Sequence, residues 1–263
     1  MKFCSIIFLL ATNICIGQEW QAEIMAGIAG YNGDLTQQRI SIKQMRPAFN
    51  LNIKYHSGDV LDMRVGLGYG KVVADDKNNT HADLRRRNLN FKSNILEINV
   101  IADINLFDPE VYTSYPYLFG GVGLFHFNPY TYDNDNKKTY LHPLSTEGEG
   151  LTEYPNRKKY SLMQLCLPVG AGWKWHINET WDVSYELGFR ILFTDYLDDV
   201  SKPYVNLDVL ATEKGSKAAE LAYRGAPPFL YEGGMRGNSG INDIYFFSGI
   251  KIATNLENIR KKH

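Results

Sequence analysis

Seven alternate residues between Trp181 and Phe193 are large and apolar: Trp181, Val183, Tyr185, Leu187, Phe189, Ile191 and Phe193. Between them stand Asp182, Ser184, Glu186, Gly188, Arg190 and Leu192, with Thr194 following. Strand side chains point to opposite faces with period two, so this segment has one apolar face and one charged or glycine face. The pattern recurs. Phe49, Leu51, Ile53 and Tyr55 alternate with Asn50, Asn52, Lys54 and His56, and Leu61, Met63, Val65, Leu67 and Tyr69 alternate with Asp62, Arg64, Gly66, Gly68 and Gly70. Leu96, Ile98, Val100, Ala102, Ile104 and Leu106 alternate with Glu97, Asn99, Ile101, Asp103 and Asn105. Leu165, Leu167, Val169, Ala171, Trp173 and Trp175 alternate with Cys166, Pro168, Gly170, Gly172, Lys174 and His176. Weaker strands fit at Ala22–Tyr31, Tyr117–Asn128 and Ile244–Thr254. Each segment is about ten residues, the length a tilted strand needs to cross a hydrocarbon core.

Alternation alone also suits a soluble sandwich, so connection lengths decide. The second, fourth and sixth connections are short, around Ser57–Asp59, Asp108–Ser114 and Asn178–Thr180. The first, third, fifth and seventh are long and polar, the last running from Asp195 to Asp243. Bacterial outer-membrane barrels place short turns in the periplasm and long loops outside, and all seven connections follow that rule. The expected fold is therefore all-β: a single eight-stranded antiparallel transmembrane β-barrel of the outer membrane.

The charged face must then be the lumen, because a Lys or Arg on lipid at mid-bilayer costs roughly 2–4 kcal/mol. Its members are Glu23, Lys54, Asp62, Arg64, Glu97, Asp103, Lys174, Asp182, Glu186, Arg190 and Lys251. Their signs nearly balance, and an eight-stranded interior is just wide enough for side chains to fill. An ion-paired plug is expected, not a pore. Glu186 and Arg190 should pair with inward charges on neighbouring strands, Lys174 and Lys251 among them.

The N-terminus points to export. Lys2 precedes a mostly apolar Phe3–Ile16 stretch, and Cys15 and Gly17 suit a signal-peptidase site before Gln18. That stretch is too short to span a bilayer, and bulky Ile14 argues against Cys15 as a lipidated cysteine. Residues 1–17 are read as a signal peptide and 18–263 as the barrel domain. No other apolar run approaches the ~20 residues a spanning helix needs. Removal of the leader leaves Cys166 as the only cysteine, so no intramolecular disulfide is possible. The formal charge of −1 gives no reason to expect nucleic acid, while 17 tyrosines suit interfacial aromatic girdles.

Several stretches resemble the PorG-like family of outer-membrane barrels associated with type IX secretion. They are Tyr31-Asn32-Gly33-Asp34-Leu35, Arg46-Pro47-Ala48-Phe49, Arg87-Asn88-Leu89-Asn90-Phe91, Pro116-Tyr117-Leu118-Phe119, Phe125-His126-Phe127-Asn128-Pro129 and Thr146-Glu147-Gly148-Glu149-Gly150. The most specific is Phe193-Thr194-Asp195-Tyr196-Leu197-Asp198-Asp199-Val200-Ser201. The resemblance implies a non-enzymatic barrel contacting a periplasmic ring of proteins resembling the PorK lipoprotein and PorN. It brings no catalytic residues and no cofactor. The largest short turn, with Asp108, Pro109 and Glu110, is the expected contact. A different reading makes the chain a stand-alone barrel binding lipopolysaccharide or cell-surface ligands through its loops.

Asp195, Asp198 and Asp199 could hold Ca²⁺, but lack the spacing of a calcium loop, and loop capping with pairing to Arg or Lys is favoured. Glu147 and Glu149, among glycines, read as a solvated turn, so Glu147→Ala is expected to leave stability unchanged. Arg85-Arg86-Arg87, Lys137-Lys138 and Arg157-Lys158-Lys159 are either solvated runs or contacts to lipid phosphates. Arg260–His263 reads as a periplasmic tail. An enzymatic reading would need His126 and Ser161, with Asp195, to meet. With His126, Leu124 and Asn128 assigned inward and Ser161 outward, a nucleophile and base on opposite faces cannot touch.

Overall fold

In a computed structural model the residues described are 20–36, 42–225 and 232–256. The leader assigned to residues 1–17 and the basic tail at 260–263 lie outside them. Ten strands occur in order: β1 (Trp20–Asn32), β2 (Arg46–His56), β3 (Leu61–Asp75), β4 (Asn90–Asn105), β5 (Ser114–His126), β6 (Tyr130–Tyr132), β7 (Lys138–Tyr140), β8 (Met163–His176), β9 (Trp181–Leu192) and β10 (Ile244–Asn255). Eight of them pair antiparallel with their sequence neighbours. The ring closes where β1 meets β10, from Gln21 opposite Asn255 to Asn32 opposite Ile244, while β3 meets β4 along its whole length. Closure leaves no edge, which is what allows strands to sit in lipid with every backbone group paired.

The packing is inverted relative to a water-soluble core. Leu51, Val65, Ile98, Leu165 and Ile250 are exposed on the outside, whereas Lys54, Arg64, Glu97, Glu186 and Lys251 are buried. The apolar outer band, with Trp20, Trp173, Trp175 and Trp181 near the short-turn end, is the surface lipid would cover. Loops follow the expected parity, short at 57–60, 106–113 and 177–180 and long at 33–45, 76–89, 127–162 and 193–243.

Inside, charges meet across the lumen. Around the ring β3 and β9 stand diametrically opposite, and Arg64 Nη1 reaches Glu186 Oε2 at 2.8 Å. Glu186 also takes Lys251 Nζ at 2.7 Å and the Tyr117 hydroxyl at 2.9 Å. Lys54 pairs with Glu23 and lies 3.5 Å from Asp103, which in turn faces Arg64 Nε at 3.1 Å. Three acids (Glu23, Asp103, Glu186) thus face three bases (Lys54, Arg64, Lys251) in one neutral cluster. Nearer the long loops, Glu97 receives Arg190 Nε at 3.0 Å, Tyr245 Oη at 2.6 Å and Asn99 Nδ2 at 2.6 Å. Arg190 also stacks 4.4 Å over the Phe247 ring. Lumen glycines make room for rings: a Cβ at Gly172 would lie 2.4 Å from Tyr117, and one at Gly188 2.6 Å from Phe119.

One expected pairing is corrected. Lys174 meets neither Glu186 nor Arg190; its Nζ lies 3.4 Å from Asp62 Oδ2 near the short-turn end. Barrel strands are staggered, so residues close in sequence order around the ring sit at different depths. Lys251, by contrast, does reach Glu186.

Removing one member of such a network strands its partners in low dielectric, at about 3–5 kcal/mol. Glu186→Ala, which leaves Arg64 and Lys251 without their shared acid, should lower the unfolding free energy by that amount, read from the midpoint and slope of urea unfolding. Tyr117→Phe, which removes one hydrogen bond, should cost only about 1 kcal/mol. Equal and negligible effects in both variants would show that water screens the lumen.

Candidate functional site

Above the lumen the four long loops fold into a cap, and two buried arginines hold it together. Arg87 ends the short helix α1 (Ala82–Arg87). Its Nε pairs with Asp76 at 2.7 Å, its Nη2 donates to Asp34 O at 2.8 Å and its Nη1 to Arg236 O at 2.5 Å. Arg236 Nη1 meets Glu147 Oε1 at 2.6 Å and Asp199 O at 2.7 Å, while its Nε donates to Ala222 O at 3.2 Å. Together they tie loop 33–45 to 76–89, 127–162 and 193–243. Two further helices, α2 (Leu207–Lys214) and α3 (Ser216–Ala222), bury Leu210, Ala218 and Ala222 against Leu151 and Val205. Asn206 caps α2 by accepting from Asp208 N at 3.0 Å. These helices were not legible as such within a long polar segment.

The Thr194–Asp199 stretch is the seat of the cap. Thr194 Oγ1 accepts from Tyr196 N, and Leu197 is buried in the main apolar cluster beneath. Asp198 Oδ2 receives the Tyr31 hydroxyl at 2.5 Å, and the same hydroxyl lies 3.1 Å from Asp243 Oδ1. Asp199 receives Thr146 Oγ1 at 2.5 Å and Tyr160 Oη at 2.7 Å, with Arg236 at 3.9 Å. Asp198 and Asp199 therefore serve the loop's own packing, through tyrosines and a threonine as much as through a cation. Among the described residues no group of acids, histidines or cysteines has the geometry of a metal site.

Two readings of loop residues are corrected. Glu147 and Glu149 are buried, not solvated: Glu147 takes Arg236 and the Ser201 and Lys202 amides at 2.9 and 2.8 Å, and Glu149 accepts from Glu147 N at 3.1 Å. Their glycine neighbours supply the positive φ of +80° and +75° that folds this turn inward. The basic runs are divided likewise. Arg87 is buried in its ion pair, Arg157 bonds Glu147 O and Pro203 O, and Lys138 lies 4.1 Å over the Tyr130 ring.

A third correction concerns β5. His126 and Leu124 point outward, while Phe125 and Phe127 fill the interior. Ser161 is also exposed, its hydroxyl donating to Met163 O at 2.8 Å. The two residues share the outer side, so the opposite-faces argument fails, yet neither is engaged with the other by a hydrogen bond. At the other end of the barrel Asp108 and Glu110 are exposed and Pro109 half-buried, with Asp108 Oδ1 accepting from Glu110 N at 2.8 Å. Phe107, Val111 and Tyr112 beside them are exposed as well, Val111 by 68%.

Over residues 1–212 the chain matches the family described as a domain of unknown function, DUF6089. It belongs to that family. No curated protein sequence matches this DUF6089 chain. Among solved structures it is similar to Neisserial surface protein A at 10% identity, covering 92% of this chain and 100% of that one with a TM-score of 0.48. It is also similar to Ail, the attachment invasion locus protein of Yersinia pestis (8% identity, 91% and 99% covered, TM-score 0.43). For OprG of Pseudomonas aeruginosa the values are 11% identity, 89% and 92% covered, and a TM-score of 0.37. The barrel assignment of the DUF6089 chain rests on its own strand pairing.

Burial sets the protonation of the cap. It pushes the Asp195 carboxyl up to about 8, helped by the charge of Asp34, and Ser201 and Lys202 offset this only in part. No hydrogen bond of good geometry reaches either Asp195 oxygen. Asp198 and Asp243 are raised too, by burial and then by neighbouring carboxylates. A carboxyl raised in the native state holds a proton that the unfolded chain has already released. Stability is therefore lost as pH rises between about 4, the ordinary aspartate value, and about 8. Asp195→Asn should reduce this slope in unfolding midpoints measured from pH 5 to 9, and an unchanged slope would place the proton elsewhere. Glu147→Ala, which strands Arg236, should cost about 3–5 kcal/mol and expose the 193–243 loop to protease, whereas Lys137→Ala should not.

Proposed function

We propose that this DUF6089 protein is a non-enzymatic outer-membrane barrel that acts as a membrane-embedded part of a type IX-like secretion apparatus. The observation that carries the reading is the Arg64–Glu186 pair spanning the full lumen. A channel needs a continuous wet path, and here the section is occupied by buried, mutually paired side chains. With the lumen filled, function falls to the two ends of the barrel and to its lipid face.

The secretion role is supported by the family resemblance and by what each end offers. The Thr194–Asp199 motif is invested in loop packing, so it maintains the cap and does not itself present a binding surface. The short-turn end offers the 106–113 turn, where Asp108 and Glu110 lie beside exposed Phe107, Val111 and Tyr112. Apolar side chains edged by carboxylates suit a protein partner. In the bacterial outer membrane this end would face the periplasm and a ring resembling PorK and PorN.

Orientation can be checked with cysteines at Lys137 and Asn178 in a Cys166→Ala background. An impermeant maleimide applied to whole cells should label the first and spare the second; the reverse would invert the barrel. The partner is tested by replacing the 106–113 turn with a tight Asn-Gly hairpin, which preserves strand pairing. Crosslinked ring proteins should then be lost from outer-membrane pull-downs and cargo secretion reduced. Ring recovery and secretion both intact after the swap would refute the contact.

A further inference from the structure

Among the described residues the cap contains a cavity lined by cationic residues. It measures about 480 Å³ and is lined by Ala82, Arg85, Arg86, Asn88, Arg224 and Gly225. Its charged lining residues are three arginines, with no acidic residue among them. The cavity forms where α1 meets the 193–243 loop, and the junction is built. Asn88 Nδ2 donates to Arg224 O at 3.0 Å, and a Cβ at Gly225 would lie 2.9 Å from Arg86 O. Only glycine lets the two segments approach this closely.

Arg85 and Arg224 are held by neutral oxygens. Arg85 Nη1 donates to Asn79 O at 3.1 Å and Thr80 O at 2.5 Å, and Arg224 Nη1 to Thr131 Oγ1 at 3.0 Å. Carbonyls and a hydroxyl orient a guanidinium without neutralising it. Among the described residues none of the three pairs with a carboxylate, whereas Arg87 on the same helix pairs with Asp76. Thr131 belongs to β6, and the same flank carries more cations. Lys138 and Lys71 lie 4.1 and 5.7 Å from the Tyr130 ring centre, and Lys92 4.6 Å from that of Tyr132. These charges add to the positive potential over the cavity.

We propose that this cavity is a phosphoryl-binding site, with Arg85, Arg86 and Arg224 supplying forked donors to the oxygens of a phosphate group. Planar guanidinium forks match that geometry, and several converging arginines suit an anion bearing more than one negative charge. The phosphoryl group has two sources on an outer surface: the sugar phosphates of a lipid A-type glycolipid, or a soluble phosphate. The site stands apart from the 106–113 turn at the opposite end of the barrel, so it is independent of the secretion reading.

The test uses the full chain in detergent, with inorganic phosphate as one titrant and lipid A micelles, phosphorylated or dephosphorylated, as the other. Binding should weaken by about tenfold or more in Arg86→Ala, an exposed position whose variant folds as judged by heat-dependent gel migration. Lys137→Ala should bind like the parent, and Arg224→Lys should retain part of the affinity by keeping the charge. A preference for phosphorylated over dephosphorylated lipid A, erased by Arg86→Ala, identifies the glycolipid as the source. Binding of inorganic phosphate without that preference identifies a soluble one. No binding of either titrant, or binding that folded Arg86→Ala leaves unchanged, overturns the proposal.

Discussion

The ion pair between Arg64 and Glu186 sets the terms for the rest of the molecule. Two charges withdrawn from water cost several kcal/mol each unless geometry and extra partners compensate. Here Glu186 has Lys251 and Tyr117 as well, and Arg64 has Asp103. Seven of the eight barrel strands carry a charge inward, and β5 contributes Tyr115 and Tyr117 instead. The strands can be closed only in a register that brings these groups together. The apolar residues between them are then left on the outside, where only lipid satisfies them. Lumen and lipid face are thus two consequences of one alternation.

The cap repeats this logic with chain far apart in sequence. Arg87 and Arg236 each gather backbone carbonyls and carboxylates from different loops, so loops that would otherwise be independent share two fasteners. Tyr31, near the end of β1, joins barrel and cap by its hydroxyl to Asp198 and Asp243. Aromatic stacking continues the connection through Phe127, Tyr160 and Tyr196, with the latter two rings 4.6 Å apart. A cap of this kind keeps its surface shape, which is what a preorganised anion pocket between α1 and the longest loop requires.

The two ends consequently differ in kind. The short-turn end offers a small apolar and acidic projection. The long-loop end offers a basic cavity and tyrosine-backed lysines on one flank. Between them buried, paired side chains occupy the lumen, and both ends are carried on the same closed sheet.

Eight strands, their facing and the loop parity could be read directly because period-two alternation and chain length are local properties. The identity of the lumen residues followed from the same parity, since a charge on lipid is too costly to keep. On β5 parity failed, because Leu118, Val122 and Leu124 outside face Tyr117, Phe119 and Phe125 inside, and both faces are apolar. His126 accordingly could not be assigned from pattern alone. Glu147 and Glu149 looked solvated because acids among glycines usually are; their partner Arg236 lies far along the chain. The sequence by itself determined which groups must be buried and which must meet lipid, because each strand decides that alone. Only the closed barrel decided which buried charge meets which. Partner choice depends on the stagger between strands and on how four loops fold over one opening, and neither is a property of any single segment.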